Sequence, residues 1–216
     1  ICEALGLGHF QGAVEEEDLH DCDLHEMEIN RIYDVYMPNS VYEAMEKFIQ
    51  TLDFSNVSSE TEILELIGNA LPSENSFLKA AAKKKIPVFV PAFTDSGLAM
   101  QIKFNHHSLK LNSFEDLERM INFACDNKNP GVMILGGGVP KNYIFQAIQF
   151  SDNPAKYAVQ ITTDIVTSAG GLSSASLDEA VSWGKVDEDS DRVTVHCDLT
   201  IALPILSCYL EGIKKE

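Results

Sequence analysis

Apolar residues recur at intervals of three and four along much of the chain, which is the spacing of the buried face of an amphipathic helix. The stretch SVYEAMEKFIQTL shows this spacing after a serine that can act as an N-cap. SFEDLERMINFAC begins with Ser-x-x-Asp, a pattern close to a capping box. The spacing predicts helices over residues 40–52, 59–68, 73–84, 113–125, 141–150, 177–183 and 200–211.

Between several of these helices the pattern changes to short apolar runs. IPVFVPA and GVMIL are almost continuously apolar, which is typical of strands buried on both faces, and KYAVQITT and DRVTVHCD are rich in strand-forming residues. Strands are therefore predicted over residues 86–92, 131–135, 156–163 and 191–198. Their alternation with helices predicts an α/β fold with a doubly wound, mainly parallel sheet. Because no repeat or low-complexity linker interrupts the pattern, we expect one domain over residues 1–216.

The first residues, ICEALGLG, read as the last turn of a helix that stops at Gly6. They include no basic segment followed by an apolar run and a cleavage site, so a secretory signal peptide is not indicated. A helix that begins without a cap predicts that an N-terminal part of the fold is missing. We expect the chain to be a fragment, or one product of a cleaved precursor.

Charge and cysteine content narrow the classes of partner and compartment. The 33 acidic residues exceed the 16 lysines and arginines, which gives a formal net charge of −17. Such a chain repels phosphate backbones, so we expect no nucleic-acid partner, and cationic ligands are favoured instead. No apolar run approaches the ~20 residues that a membrane span needs. The five cysteines form an odd set without Cys-x-x-Cys spacing, which indicates a reducing, cytoplasmic environment.

Acids and glycines follow the predicted strands. Asp95 comes after the first, Gly136, Gly137 and Gly138 after the second, Thr163 and Asp164 after the third, and Asp198 after the fourth. In an open parallel sheet, ligands bind at the carboxyl ends of the strands. A glycine turn lets a phosphate or ribose approach the backbone, and an aspartate can accept hydrogen bonds from ribose hydroxyls. Aspartate and glycine are also common wherever strands become turns, and that alternative stays open.

The segment EAVSWGK holds the only tryptophan, two residues before a lysine. A lysine amine can form an imine with a carbonyl carbon, and an aromatic face can hold a cation. Glu179 and Trp183 are four residues apart, so both can face one site from a helix that leads to Lys185. The alternative is a surface lysine beside a core tryptophan. HDCDLH matches no zinc pattern and is acidic, so we expect no metal there.

Taken together, several segments resemble the deoxyhypusine synthase family. EAVSWGK is similar to the motif around that family's active-site lysine. IPVFVPAFTD, GVMILGGGVPKN, YAVQITTD, GGLSSAS and CDLTIALPIL follow in the family's order and spacing, and the match runs from INRIYDVYMPN, at residue 29, to the C-terminal region. PKN, and ITTD followed by GGLS, are closer to the deoxyhypusine-synthase-like branch than to the eukaryotic type.

The resemblance implies a Rossmann-like, NAD-binding fold of which this chain is the C-terminal two thirds. It also implies a tetramer with active sites between subunits, either of one chain or with a separate N-terminal chain. In this family spermidine is oxidised with NAD, 1,3-diaminopropane leaves, and the 4-aminobutyl group is held as an imine on the active-site lysine. The group then passes to a lysine of the hypusine-bearing translation initiation factor.

By the same resemblance, Lys185 is the catalytic lysine, and Trp183 and Glu179 bind the polyamine. The positions that match the NAD site are Asp95, Gly136, Gly137, Gly138, Thr163, Asp164 and Asp198. An acidic site suits spermidine, which carries about three positive charges.

The chain departs from the eukaryotic-type motifs at several positions. Asn142 and Tyr143 stand where that type has histidine, and Met100, Ala169 and Leu172 stand where it has acids. The acceptor therefore stays open. One alternative is homospermidine synthesis, with putrescine as the acceptor, and another is a non-catalytic subunit that supports an active partner.

Overall fold

A computed structural model describes residues 1–12, 20–165 and 176–213. The chain divides into two compact units, Ile1–Asn112 and Ser113–Glu216. Each unit has its own hydrophobic core. That residues 1–216 form a single domain stays a prediction.

The first unit packs helices around a core in which Ile49, Ile63 and Ile67 are fully buried. Ser59 and Ser76 each accept a backbone hydrogen bond through the side-chain hydroxyl and so begin two of these helices. The predicted helices over 40–52, 59–68 and 73–84 are confirmed, the last with a later start. The elements are α1 (Asp21–Glu26), α2 (Asn39–Gln50), α3 (Glu60–Ala70), α4 (Phe77–Lys83), α5 (Gly97–Asn105), β1 (Phe10–Gln11), β2 (Ile29–Ile32) and β3 (Val35–Pro38).

β1, β2 and β3 form a small antiparallel sheet in the order β1-β3-β2, which the sequence pattern did not predict. Ile32 pairs with Val35, so a two-residue turn joins β2 to β3, and Tyr33 in that turn has a φ of +52°. Strands of two to four residues are too short for an alternating pattern to stand out.

The predicted strand over residues 86–92 is wrong, because this segment pairs with no strand that the structure describes. Pro87 and Pro91 have no backbone N–H to donate to a neighbouring strand. Ile86 and Val90 are also exposed, whereas the prediction required a strand buried on both faces. The segment has the apolar composition of a central strand, but in this unit it does not have the environment of one.

The second unit is built on a parallel sheet in the order β4-β5-β6. Its apolar strands pair in register, with Val132 opposite Ala158 and Val159 opposite Val193. The α/β class with a parallel sheet is thus confirmed, with three paired strands instead of four. The elements are α6 (Ser113–Asp126), β4 (Gly131–Leu135), α7 (Val139–Gln149), β5 (Ala155–Thr162), α8 (Asp178–Ser182), β6 (Val186–His196) and α9 (Leu199–Ile213).

The carboxyl ends of the three parallel strands lie side by side. Gly136 donates its backbone N–H to the Ile161 carbonyl at 2.8 Å, and Cys197 donates to the Thr162 carbonyl at 3.1 Å. The segments after β4, β5 and β6 therefore leave the sheet at one edge, here called the carboxyl edge. In the part of the chain that the structure describes, no helix is both long and apolar enough to cross a bilayer.

Candidate active site

The end of α8 determines where the backbone of Lys185 lies. Gly184 donates its N–H to the Val181 carbonyl at 3.0 Å, and Lys185 donates to the Ala180 carbonyl at 3.0 Å. This pair of bonds is the Schellman arrangement, which requires a left-handed residue after the helix. Gly184 supplies that residue with a φ of +68°. The glycine between Trp183 and Lys185 is therefore what turns the chain from α8 into β6.

The turn brings the two side chains that flank the glycine together. The Lys185 Nζ lies 5.1 Å from the centre of the Trp183 ring, within the range of a cation–π contact. Lys185 is only 9% exposed, whereas Trp183 is 58% exposed. The tryptophan is therefore not a core residue, contrary to the structural alternative. Its outer surface is open to a ligand beside a largely buried lysine amine.

Glu179 lies in the first turn of α8 and is exposed. Its carboxylate acts on a second lysine, Lys141, near the start of α7. Burial lowers the pKa of Lys141 from the usual 10.5 to about 8, and the negative charge of Glu179 opposes that shift. The acid that was predicted to bind the polyamine therefore acts on a buried ammonium on a neighbouring helix, and its contact with a polyamine stays a prediction.

Lys141 belongs to a buried hydrogen-bond network whose side chains were not among the predicted site residues. Its Nζ donates to Gln160 Oε1 at 2.9 Å and to the Ser176 carbonyl at 2.7 Å. Gln160 Nε2 donates to the Gly136 carbonyl at 2.9 Å. Lys141 is 2% exposed and Gln160 is completely buried. A signal was present for Gln160, which is a polar position within the apolar strand segment YAVQI.

The glycine turn after β4 has the backbone geometry expected of it. Gly136 and Gly138 have φ values of +90° and +77°, which L side chains rarely adopt. Apart from its chain neighbours, a Cβ at either position would meet no atom of the described residues within 4 Å, so among residues 1–12, 20–165 and 176–213 the space beside the turn is open. Gly138 is the N-cap of α7. Gly137 lies between Gly136 and Gly138 in the sequence. A helix N-terminus behind a glycine turn can receive a phosphate group.

The residues that follow β5 and β6 lie at the same carboxyl edge. Thr163 and Asp164 are exposed just after β5. Asp198 begins α9, and its Oδ1 accepts bonds from the Thr200 hydroxyl at 2.6 Å and the Thr200 N–H at 2.8 Å. These bonds lower the pKa of Asp198. Thr200 uses two of the four lone-pair positions of the carboxylate, which leaves acceptor capacity for a ribose hydroxyl.

Asp95 is the one predicted cofactor residue that belongs to the first unit. It lies in the first unit, exposed in the turn before α5, and the strand that was expected to precede it is not formed. Its neighbour Ser96 caps α5 by accepting from the Ala99 N–H at 3.1 Å. The predicted contact of Asp95 with NAD stays a prediction.

The structure locates some of the positions at which the chain departs from the eukaryotic-type motifs. Met100 is exposed on α5, and Asn142 and Tyr143 are half-buried at the start of α7. Ala169 and Leu172, with most of the GGLSSAS motif, lie outside the described residues. In HDCDLH, Asp21 is the ion-pair partner of Arg31.

Lys185 lies at the opposite end of the sheet from the carboxyl edge. Its carbonyl accepts from the Ala155 N–H at 3.0 Å, which places its backbone at the start of β5. Thr162, at the other end of β5, is seven residues further, about 23 Å at the usual rise of a parallel strand. The predicted cofactor residues of the second unit and the predicted catalytic lysine therefore lie at opposite ends of one sheet.

Comparisons with known proteins agree on one family. The family model described as deoxyhypusine synthase matches residues 1–210. The chain is 41% identical over 212 residues to the probable deoxyhypusine synthase 1 of Archaeoglobus fulgidus, covering 97% of this chain and 69% of that protein. It is 39% identical over 213 residues to the probable deoxyhypusine synthase 1 of Methanosarcina acetivorans, covering 94% and 65%.

A solved structure is similar in fold. The crystal structure of a putative deoxyhypusine synthase from Entamoeba histolytica matches with a TM-score of 0.59 at 23% identity, over 80% of this chain and 56% of that one. The chain spans about two thirds of the length of the two curated archaeal relatives, from Archaeoglobus fulgidus and Methanosarcina acetivorans. On the family match and these identities, the chain belongs to the deoxyhypusine synthase family.

Proposed function

We propose that this chain carries the aminobutyl-transfer site of a deoxyhypusine synthase, with spermidine as the donor. The observation that carries the proposal is the arrangement of Lys185 and Trp183: a largely buried lysine amine lies against the face of an exposed tryptophan. A polyamine is a chain of ammonium groups and methylenes, so the ring can contact both kinds of group. The excess of acidic residues favours the approach of such a cation.

The residues at the carboxyl edge fit NAD. The open glycine turn at the N-terminus of α7 can hold the pyrophosphate, and Asp198 can accept from a ribose hydroxyl. When bound, NAD supplies the hydride acceptor that converts the secondary amine of spermidine into an imine.

Lys185 then acts as the nucleophile. Its neutral amine adds to the imine carbon, the bond to the propyl nitrogen breaks, and 1,3-diaminopropane leaves as the free amine. The 4-aminobutyl group is now held through a C=N bond to Lys185. An acceptor amine displaces Lys185 in the same way and takes over the C=N bond. Reduced cofactor held at the carboxyl edge would supply the hydride that reduces this bond. We propose a lysine of the hypusine-bearing translation initiation factor as that acceptor.

The family resemblance implies a tetramer, and a tetramer allows each active site to be built from two subunits. Within one chain, about 23 Å of strand separates the backbone of Lys185 from the end of β5. We propose that Lys185 of one subunit works with the carboxyl edge of another, in active sites between subunits.

The test is to incubate the full-length protein with NAD and spermidine that is labelled in its butyl portion, then to reduce with borohydride and map the labelled peptide. Label on Lys185 is expected, and Lys185→Arg, which keeps the charge but cannot form the imine, should carry none. Lys156→Arg, at an exposed lysine on β5, is the matched control and should retain the label.

Adding the translation factor or putrescine in separate reactions identifies the acceptor. Label in the factor supports the proposal, whereas label in homospermidine assigns the alternative acceptor. Absence of label from Lys185 and from both acceptors would instead indicate a non-catalytic subunit.

A further inference from the structure

The network around Lys141 connects two elements of one chain, the glycine turn and the start of α8, which the proposed function assigns to neighbouring active sites. On one side, Gln160 Nε2 holds the Gly136 carbonyl at 2.9 Å, in the glycine turn. On the other, Lys141 Nζ holds the Ser176 carbonyl at 2.7 Å, two residues before α8 begins. The bond of 2.9 Å between Lys141 Nζ and Gln160 Oε1 joins these halves. A continuous set of hydrogen bonds, buried at its centre and partly buried at both ends, therefore runs from the glycine turn to the start of the helix that carries Glu179.

The interior of the fold does not itself require a lysine at this position. Phe145, one turn later on α7, is 2% exposed, and its ring centre lies 6.0 Å from the Lys141 Nζ, so the surroundings are partly apolar. A buried ammonium loses hydration, and apolar residues of similar volume often stabilise such positions as well or better. A methionine or a leucine has no group that could donate hydrogen bonds to acceptors on two different segments. The lysine is therefore explained by what it connects.

We propose that Lys141 is a positioning residue which, through Gln160, couples the glycine turn to the start of α8, so that cofactor binding at the turn favours polyamine binding beside α8. The inference rests on the proposed function, because it takes the turn as the NAD-binding part of one site and α8 as the polyamine-binding part of the neighbouring site. A shift of the Gly136 carbonyl on cofactor binding changes the position of Gln160. Lys141 transmits that change to the Ser176 carbonyl, because its ammonium donates to both.

The test is a binding cycle in which no chemistry can occur. NADH cannot accept a hydride, so NADH and spermidine form a ternary complex without oxidation. The dissociation constant of NADH is measured by calorimetry with and without saturating spermidine, on the full-length protein. In the wild type, spermidine should tighten NADH binding by about fivefold or more, the usual lower range of coupling between two sites. In Lys141→Met the ratio should fall below about twofold.

Gln160→Glu gives the same test without leaving the ammonium unpaired. Its carboxylate still accepts from Lys141 but cannot donate to the Gly136 carbonyl, so the coupling should again be lost while the fold is kept. Lys141→Arg retains the charge and the donors and should recover part of the coupling. Lys156→Met, an exposed lysine on the same strand as Gln160, should match the wild type.

Each outcome is informative. Wild-type coupling in both Lys141→Met and Gln160→Glu, or no coupling in the wild type, overturns the inference and leaves the proposed function standing. Failure of the wild type to bind NADH or spermidine at all overturns the proposed function, and this inference with it.

Discussion

Replacing Lys141 by methionine should change how the stability of the second unit depends on pH. Lys141 is 2% exposed, and burial lowers its pKa to about 8 from the ordinary 10.5. Between these two values the unfolded chain holds the proton more firmly than the folded chain does. The free energy of unfolding therefore rises with pH through this window, and the cost of burying the charge is fully present below pH 8.

The magnitude follows from the difference of about 2.5 pKa units, which corresponds to about 3 kcal/mol at 1.36 kcal/mol per unit. Somewhat less than half of this should be recovered by pH 9 and about three quarters by pH 10. Lys141→Met has no proton to lose, so its own pH profile lacks this rise. The quantity to compare is the wild-type free energy of unfolding minus that of the variant, because the titration of other groups cancels in the difference.

The assay is urea unfolding from pH 7 to pH 10.5, followed by the fluorescence of Trp183, the only tryptophan in the chain and a residue of the same unit as Lys141. Lys156→Met is the control, since Lys156 is half exposed beside Asp187, and its difference curve should be flat. A flat difference curve for Lys141→Met as well would show that the Lys141 amine is not held in a low-polarity environment.

Three further predictions concern the elements around the site. Gly184→Ala should destabilise the second unit by about 1–2 kcal/mol, because alanine is strained at a φ of +68°. Urea unfolding measures this loss, and transfer activity should fall with it. An unchanged stability would contradict the role of the Schellman turn. Asp198→Ala should lower the melting temperature by removing the acceptor for Thr200, and Asp198→Asn should restore it because the amide oxygen still accepts; equal melting of both variants would argue against a capping role. Co-expressed Lys185→Arg and Gly138→Ala subunits should regain transfer activity that neither has alone, whereas continued inactivity of the mixture would place each complete site within one subunit.

The sequence predicted the second unit well, because its elements are long and strongly patterned. GVMIL became β4 with the expected bounds, and SFEDLERMINFAC became α6 with one residue added. The glycine turn, Thr163, Asp164 and Asp198 share one edge of the sheet, since the carboxyl ends of neighbouring parallel strands always do. The role of the glycine in EAVSWGK also follows from a local rule, since a helix that ends with a left-handed residue most often uses glycine.

What the sequence could not predict depends on contacts between distant residues. IPVFVPA has the composition of a buried strand, but a strand also needs a neighbour, and periodicity carries no information about one. Likewise, the pairing of Lys141 with Gln160 joins residues 19 positions apart, and only the fold shows that the two lie in contact. The separation of Lys185 from the carboxyl edge has the same origin, because it depends on the register between β5 and β6.

Lys141 and Lys185, which are both buried in the second unit, differ in the way that their proposed roles require. Both are buried, but Lys141 donates to two fixed oxygens inside the protein, whereas Lys185 lies beside an exposed aromatic face. An amine that must add to a substrate imine needs a neutral nitrogen lone pair and access to the substrate carbon. Lys141 has the pKa of an amine that is readily deprotonated, but its 2% exposure denies the access. Access to the substrate therefore separates the imine-forming lysine from the positioning one. Borohydride trapping of label on Lys141 in place of Lys185 would reverse the assignment.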